Sequence, residues 1–310
     1  MNNKIIAVAG PTASGKSGLA VGLAKIFGAQ VISCDSMQIY KGMDIGTAKV
    51  TEEEMDKIKH HLIDFVDIGT DFSVSDYVEH AQKIITDLQN ENILPIIAGG
   101  TGLYLRSLLY AVNFNDNSKD EKLRQALAEQ AQNGEIEILW QKLKTLDPKS
   151  TEKIHINNQK RVIRALEYCL VTGEKFSEQS IISTAKYDFL LICLGVRDRQ
   201  KLYDRINLRV DLMFKQGLIQ EAKEYYQIYK SGSTCSQAIG YKELFPYFEG
   251  LISLDEATEN IKRETRRYAK RQLTWFKKEQ NVHWIYIDDF KNSEELLQEV
   301  ITISTQFLKS

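Results

Sequence analysis

The chain has 310 residues, 43% hydrophobic and 26% charged, with a formal net charge of -2. At roughly 150 residues per domain this length predicts about two domains, or one core with a large insertion, and enough buried surface to fold without disulfide staples. The balance excludes wholesale disorder, a fibrous repeat and a globally basic nucleic-acid binder, and four prolines exclude a linker-rich chain.

Lys4–Ala9 is a short apolar run closed by Gly10, the pattern of a buried parallel strand and not of a signal peptide. Gly15–Phe27 has helical spacing at Leu19, Leu23 and Ile26/Phe27, and Gln30–Cys34 reads as a second strand ending at Asp35. Phe72–Gln89 is a predicted helix with Ser73 as its cap. Ile93–Ala98 is another buried strand, turning through Gly99-Gly100-Thr101-Gly102 into a helix over Leu103–Tyr110. Strand, loop and helix repeated this way predict an α/β parallel sheet with helices on both faces.

The texture changes after a polar break, Asn113–Ser118. Lys119 to about Glu178 is rich in Leu, Ala, Gln, Glu and Lys at helical spacing, and predicts a helical insertion. Phe189–Gly195 returns to the sheet. An amphipathic helix broken at Gly217 covers Leu202–Tyr229, a loop covers Ser231–Ser236, and a long basic helix covers Glu256–Lys278. Val282–Ile287 and Glu294–Leu308 are a last strand and a terminal helix. The expected divisions are 1–112, 113–186 and 187–310. No apolar run approaches the ~20 residues that span a bilayer. Cys34, Cys169, Cys193 and Cys235 lie far apart without a CxxC pair, which predicts free buried thiols, a reducing cytoplasm and no cysteine metal site.

Gly10-Pro11-Thr12-Ala13-Ser14-Gly15-Lys16-Ser17 matches G-x-x-x-x-G-K-[ST] in full. In such a loop successive backbone N–H groups converge on two linked phosphates, the next helix adds its positive end, the lysine supplies a mobile charge and the serine a Mg²⁺ ligand. The motif specifies a polyphosphate but not which one. The strand over Ile93–Ala98 ends in glycine where a P-loop ATPase usually carries a metal-binding aspartate. Asp35, at the end of the second strand, is the acid that faces the crevice instead; there it has three readings, a Mg²⁺ ligand, a general base or a helix cap.

Seven runs in order resemble the tRNA dimethylallyltransferase (tRNA isopentenyltransferase) family: GPTASGKS at Gly10–Ser17, DSMQIY at Asp35–Tyr40, KGMDIGTAK at Lys41–Lys49, GGTGLY at Gly99–Tyr104, RINLRVDLM at Arg205–Met213, QAIGYKE at Gln237–Glu243 and RRYAKRQLTWF at Arg266–Phe276. The resemblance covers nearly the whole chain. It implies a P-loop NTPase-like parallel sheet with a helical insertion that contacts tRNA. It also implies transfer of a dimethylallyl group from dimethylallyl diphosphate, with Mg²⁺, to N6 of the adenine 3′ of the anticodon, and a monomer.

An aryl amine is a poor nucleophile, which favours Asp35 as the group that takes its proton. The resemblance places the diphosphate arginine at Arg209, with Arg205 one turn earlier as the alternative, and gives Thr101 a substrate contact beside a capping role. Ser36, Met37 and Gln38 are expected at the extruded adenine, Gln38 with both a donor and an acceptor. Lys262–Lys278 holds eight basic residues and one acid; Ile261, Thr265, Tyr268, Gln272 and Phe276 share a packing face, leaving arginines such as Arg267 and Arg271 for RNA. Gln159, Lys160, Arg161, Val162, Ile163 and Arg124 are carried over as further tRNA contacts. Trp140, Trp275 and Trp284 are expected in the core. A small-molecule kinase and a nucleotide-gated RNA-binding protein are the other readings: the first would need ATP and no basic helix, the second no Asp35.

Overall fold

A computed structural model describes residues 3–110, 120–178, 184–226 and 234–310. The polar break at Asn113–Ser118, the end of the helix expected to reach Tyr229 and the start of the loop expected from Ser231 lie outside the described residues.

By contact pattern the chain forms two compact units, one of residues 1–110 with 185–310, the other of residues 111–184. The first contains β1 (Lys4–Ala9), α1 (Lys16–Phe27), β2 (Gln30–Ser33), α2 (Glu52–Met55), β3 (His60–His61), α3 (Val74–Asn90), β4 (Pro95–Gly99) and α4 (Gly102–Leu109). The strands form one six-stranded parallel sheet, ordered β3-β2-β4-β1-β5-β6, with β5 (Asp188–Gly195) and β6 (Val282–Tyr286) from the later chain. Ile6 pairs with Ile96 on one side of β1 and with Leu190 on the other. Central parallel strands are covered on both faces, which is why β1 reads as an unbroken apolar run.

Leu19 and Leu23 of α1 pack on one face together with Leu296 and Val300 of the terminal helix Ser293–Lys309. Ser73 caps α3 as expected: its hydroxyl accepts from the Asp76 N–H, while the Asp76 carboxylate accepts from the Ser73 N–H. The short α2 and the two-residue β3 escape sequence reading, because neither is long enough to show a period.

The unit of residues 111–184 is helical over its described part: α5 (Glu121–Gln130), a π turn (Ala131–Glu135), α6 (Ile136–Leu146), α7 (Pro148–Lys153) and α8 (Gln159–Thr172). Leu127, Leu139, Leu143, Val162 and Leu166 form its core. The fully buried Glu167 carboxylate accepts two bonds from Arg124, one from Arg164 and one from the Asp120 N–H. The buried Asp147 carboxylate likewise holds Ser150 and Ser177.

In the first unit, α9 (Arg199–Gln216) stops at Gly217, whose φ of 107° is left-handed, and α10 (Leu218–Glu224) follows; the expected break is realised there. The chain continues through α11 (Phe245–Phe248) to the basic helix α12 (Leu254–Phe276), then β6 and the terminal helix α13 (Ser293–Lys309). Ile39, Tyr40 and Met43 pack among Val210, Met213, Tyr241 and Ile261, which fixes the segment after Asp35 against α9 and α12. All four cysteines are free and buried. Among the described residues no helix is long and apolar enough to cross a membrane.

Candidate active site

The carboxyl ends of β1, β2 and β4 deliver the three loops that build the site. The first is the phosphate loop. Gly10 has φ 143°, and a Cβ there would stand 2.7 Å from the Leu194 carbonyl; Gly15 has φ 90° and Ala13 φ 62°. These left-handed residues turn the loop back over the N-terminus of α1. Lys16 donates to the Pro11 carbonyl at 2.7 Å. Burial pushes its amine down to about 8, helped by the Arg209 charge and opposed by Asp35. The Ser14 hydroxyl is buried without a hydrogen-bond partner, an orphaned polar atom inside a loop shaped for phosphate.

The second loop carries Asp35. One of its carboxylate oxygens accepts from the N–H groups of Met37 (2.9 Å) and Gln38 (3.4 Å), but residues 36–39 form a turn and not a helix, so Asp35 caps a turn. Asp35 also lines a cavity of about 340 Å³ with Lys16, Ser17, Ser36, Met37, Gln38 and Arg209. Gln38 differs from expectation: its amide nitrogen donates to the carbonyls of Thr47 (3.3 Å) and Ala48 (3.1 Å), which leaves the side-chain oxygen for a ligand.

The third loop follows β4. A Cβ on Gly99 would meet the Cys34 carbonyl at 2.1 Å, so the close approach of β2, and not metal binding, dictates the residue here. Thr101 stands at the end of this loop. It precedes α4 without capping it; its hydroxyl instead accepts from the Ser36 N–H at 3.1 Å. Thr101 is not among the cavity-lining residues, but Ser36, which it bonds, is.

Arg209 reaches in from α9. It donates to the Thr12 hydroxyl (3.3 Å) and the Ala48 carbonyl (3.4 Å). Burial pushes its guanidinium down, offset by the Asp35 and Glu54 charges. The carboxylates that would otherwise have held it are engaged elsewhere: Asp211 pairs with Lys262 and Asp204 accepts from Gln200. Arg205 lies 3.8 Å from where a Cβ on Gly15 would sit and lines an adjoining cleft, not the cavity containing Asp35. Position therefore favours Arg209.

The basic helix closes the site from the other side. Ile261, Gln272 and Phe276 are buried as the pattern predicts; Ile261 and Gln272 also line the cavity, together with Thr265, Tyr268 and Arg271. Arg267 is exposed and pairs with Glu264 at 2.6 Å. Trp275 is 38% exposed, against the core expectation, with its ring against Gly102. Trp140 donates its indole N–H to the Ile154 carbonyl, and Trp284 stacks near Tyr286.

In the helical unit, Gln159, Lys160 and Arg161 stand exposed at the start of α8. Val162 and Ile163 do not: they are buried in that unit's core, because an amphipathic helix turns its fourth and fifth residues inward here. Arg124 is engaged by Glu167, a structural role the sequence reading did not assign. Sequence reading also passed over Tyr268 and Gln237–Gly240 as cavity residues; QAIGYKE was visible as a motif but carried no residue chemistry that named its role.

The IPP transferase family matches residues 38–279. The tRNA dimethylallyltransferase of Thermoanaerobacter sp. (strain X514) is 48% identical over 303 residues, 96% of each chain. That of Bacillus cereus (strain Q1) is 46% identical over 299 residues, 96% of this chain and 94% of the other. The crystal structure of the full-length tRNA isopentenylpyrophosphate transferase from Bacillus halodurans superposes with a TM-score of 0.76 at 43% identity, covering 99% of this chain and 97% of that one. A eukaryotic dimethylallyltransferase, seen acting on tRNA, superposes with a TM-score of 0.85 at 31% identity, covering 99% of this chain and 80% of that one.

Proposed function

The chain belongs to the IPP transferase family, that of the tRNA dimethylallyltransferases, and we propose that its donor is dimethylallyl diphosphate and its acceptor N6 of the adenine 3′-adjacent to the anticodon. It is a prenyltransferase that modifies tRNA, which sets aside the kinase and the RNA-binding readings. The observation that carries the finer assignment is the convergence of Lys16, Asp35 and Arg209 on one cavity.

In the reaction the C1–O bond to diphosphate breaks, the N6–C1 bond forms and one proton leaves N6. Asp35, held by the Met37 N–H, takes that proton. The departing diphosphate gains negative charge, met by Lys16, the loop N–H groups and Arg209. Ser17 lines the cavity beside Lys16 and Asp35. Mg²⁺ is often held by one or two protein oxygens plus substrate phosphates, and Ser17 would supply such an oxygen. When bound, the ion neutralises phosphate charge.

A stacked base cannot enter this cavity, so the adenine is extruded. Ser36, Met37 and the free oxygen of Gln38 meet it, and Thr101 fixes Ser36. Arg267 and Arg271 on α12 meet RNA phosphates, as do Gln159, Lys160 and Arg161 in the helical unit. Arg124 supports that helical surface through Glu167. The protein works as a monomer in the cytoplasm, where its tRNA substrate and reduced thiols belong.

The test is Asp35→Ala. Turnover should fall by about 10²- to 10⁴-fold, with tRNA affinity largely retained. Near wild-type turnover would remove Asp35 as the base.

A further inference from the structure

Between Asp35 and α2 the chain crosses the cavity as a strap, Asp44–Lys49. Thr47 and Ala48 line the cavity. The Ala48 carbonyl accepts from both Gln38 (3.1 Å) and Arg209 (3.4 Å), the groups placed at the acceptor and at the diphosphate. Ala48 has φ 50°, a left-handed conformation that an alanine holds only when its surroundings impose it.

The strap is anchored from outside the cavity, by α10. The Glu221 carboxylate accepts from three consecutive backbone N–H groups: Asp44 at 3.0 Å, Ile45 at 2.8 Å and Gly46 at 3.0 Å. It also accepts from the Tyr241 hydroxyl at 2.5 Å. Four donors match the four lone-pair directions of an ionised carboxylate, and three successive N–H groups on one anion form a nest. The Tyr241 ring fills the space over Gly46, where a Cβ would come within 2.4 Å of it. At the other end Lys49 donates to the Tyr40 carbonyl at 2.8 Å and pairs with Asp44 and Asp64. The strap is thus tied before and after Ala48.

We propose that Glu221 is a positioning residue for the transfer reaction: it fixes the strap whose Ala48 carbonyl orients Gln38 and Arg209 on the two sides of the reacting centre. The proposal rests on the functional reading above. Glu221 is not among the residues lining the cavity that contains Asp35; it acts through backbone.

Glu221→Gln keeps the shape but sets an amide NH₂ against N–H donors. At saturating tRNA and dimethylallyl diphosphate, kcat should fall by about 10- to 100-fold, because small misplacements of reacting groups cost that much. KM for either substrate should change by less than about threefold. The cost of Arg209→Lys should shrink in the Glu221→Gln background, since its carbonyl anchor is already loose. A folded Glu221→Gln protein with kcat within about twofold of wild type, or strictly additive effects of the pair, overturns the proposal. Should Glu221→Gln fail to fold, Tyr241→Phe retains the ring over Gly46 and removes one donor. It should lower kcat several-fold, and an unchanged kcat overturns the proposal equally. Wild-type protein in the same assay separates the two questions: absence of transfer there defeats the functional reading, whereas active wild type with indifferent variants defeats only the role of Glu221.

Discussion

The side chain of Gln272 accepts a hydrogen bond from the Thr12 N–H at 2.8 Å, joining the basic helix to the phosphate loop across 260 residues of sequence. Its amide nitrogen donates to the Gly100 carbonyl at 3.0 Å. One buried amide therefore ties α12 to two of the three loops that build the site.

Gln272→Ala leaves the Thr12 N–H and the Gly100 carbonyl without that partner, and opens a void at a residue only 5% exposed. Stability should drop by about 1–3 kcal/mol, and KM for the diphosphate should rise as the loop loosens. Urea unfolding and steady-state kinetics check both; a variant unchanged in each would show the bridge to be incidental.

Arg209 and Arg205 separate by position. Arg209→Ala should lower kcat by about 10²- to 10³-fold, the scale of losing one donor to a developing anion. Arg209→Lys should recover part of this, because it keeps the charge but not the fork. Arg205→Ala should cost far less. A larger loss at Arg205 would exchange the two roles.

Lys16 predicts a pH response. With its amine near 8 in the free protein, the charge that meets diphosphate is present below that pH and lost above it. The kcat/KM for dimethylallyl diphosphate should fall as pH rises through about 8, since this ratio reports groups of the free enzyme. The stability contribution runs the other way. Between about 8 and the ordinary value of 10.5 the unfolded chain binds the proton that the folded one has released, so this term increases with pH across that window. A flat kcat/KM profile from pH 7 to about 9 would contradict the shift.

The sheet and the phosphate loop were legible because each rests on local rules: β1 as an unbroken apolar run, Ser73 as a cap, Gly15-Lys16-Ser17 at fixed spacing. Asp35 was legible because it ends a strand. Gln272, Glu221 and Tyr268 were not, since their roles arise from partners far away in sequence and nothing in their own neighbourhoods marks them. Val162 and Ile163 show the opposite failure: carried over as part of a contiguous contact run, they obey the helix period and point into the core.

Glu167 carries a stability prediction for the helical unit. Glu167→Gln removes the buried anion facing Arg124 and Arg164, and the unit should lose about 3 kcal/mol, the low end for breaking such a cluster because both arginines are partly exposed. Hydrogen exchange in α5 and α8 reads this directly. Arg124→Ala should disturb the same amides; exchange unaltered in both variants would return Arg124 to a purely surface role.

If a loop of the nucleotide-binding type holds a prenyl diphosphate here as its leaving group departs, transfer to tRNA needs no ATP. The direct measurement mixes protein, Mg²⁺, labelled dimethylallyl diphosphate and unmodified tRNA, with and without ATP, and maps the label within the RNA. The expected result is label on the adenine 3′ of the anticodon at a rate that does not depend on ATP. Label absent from competent tRNA, with ATP consumed on a small acceptor instead, would contradict it.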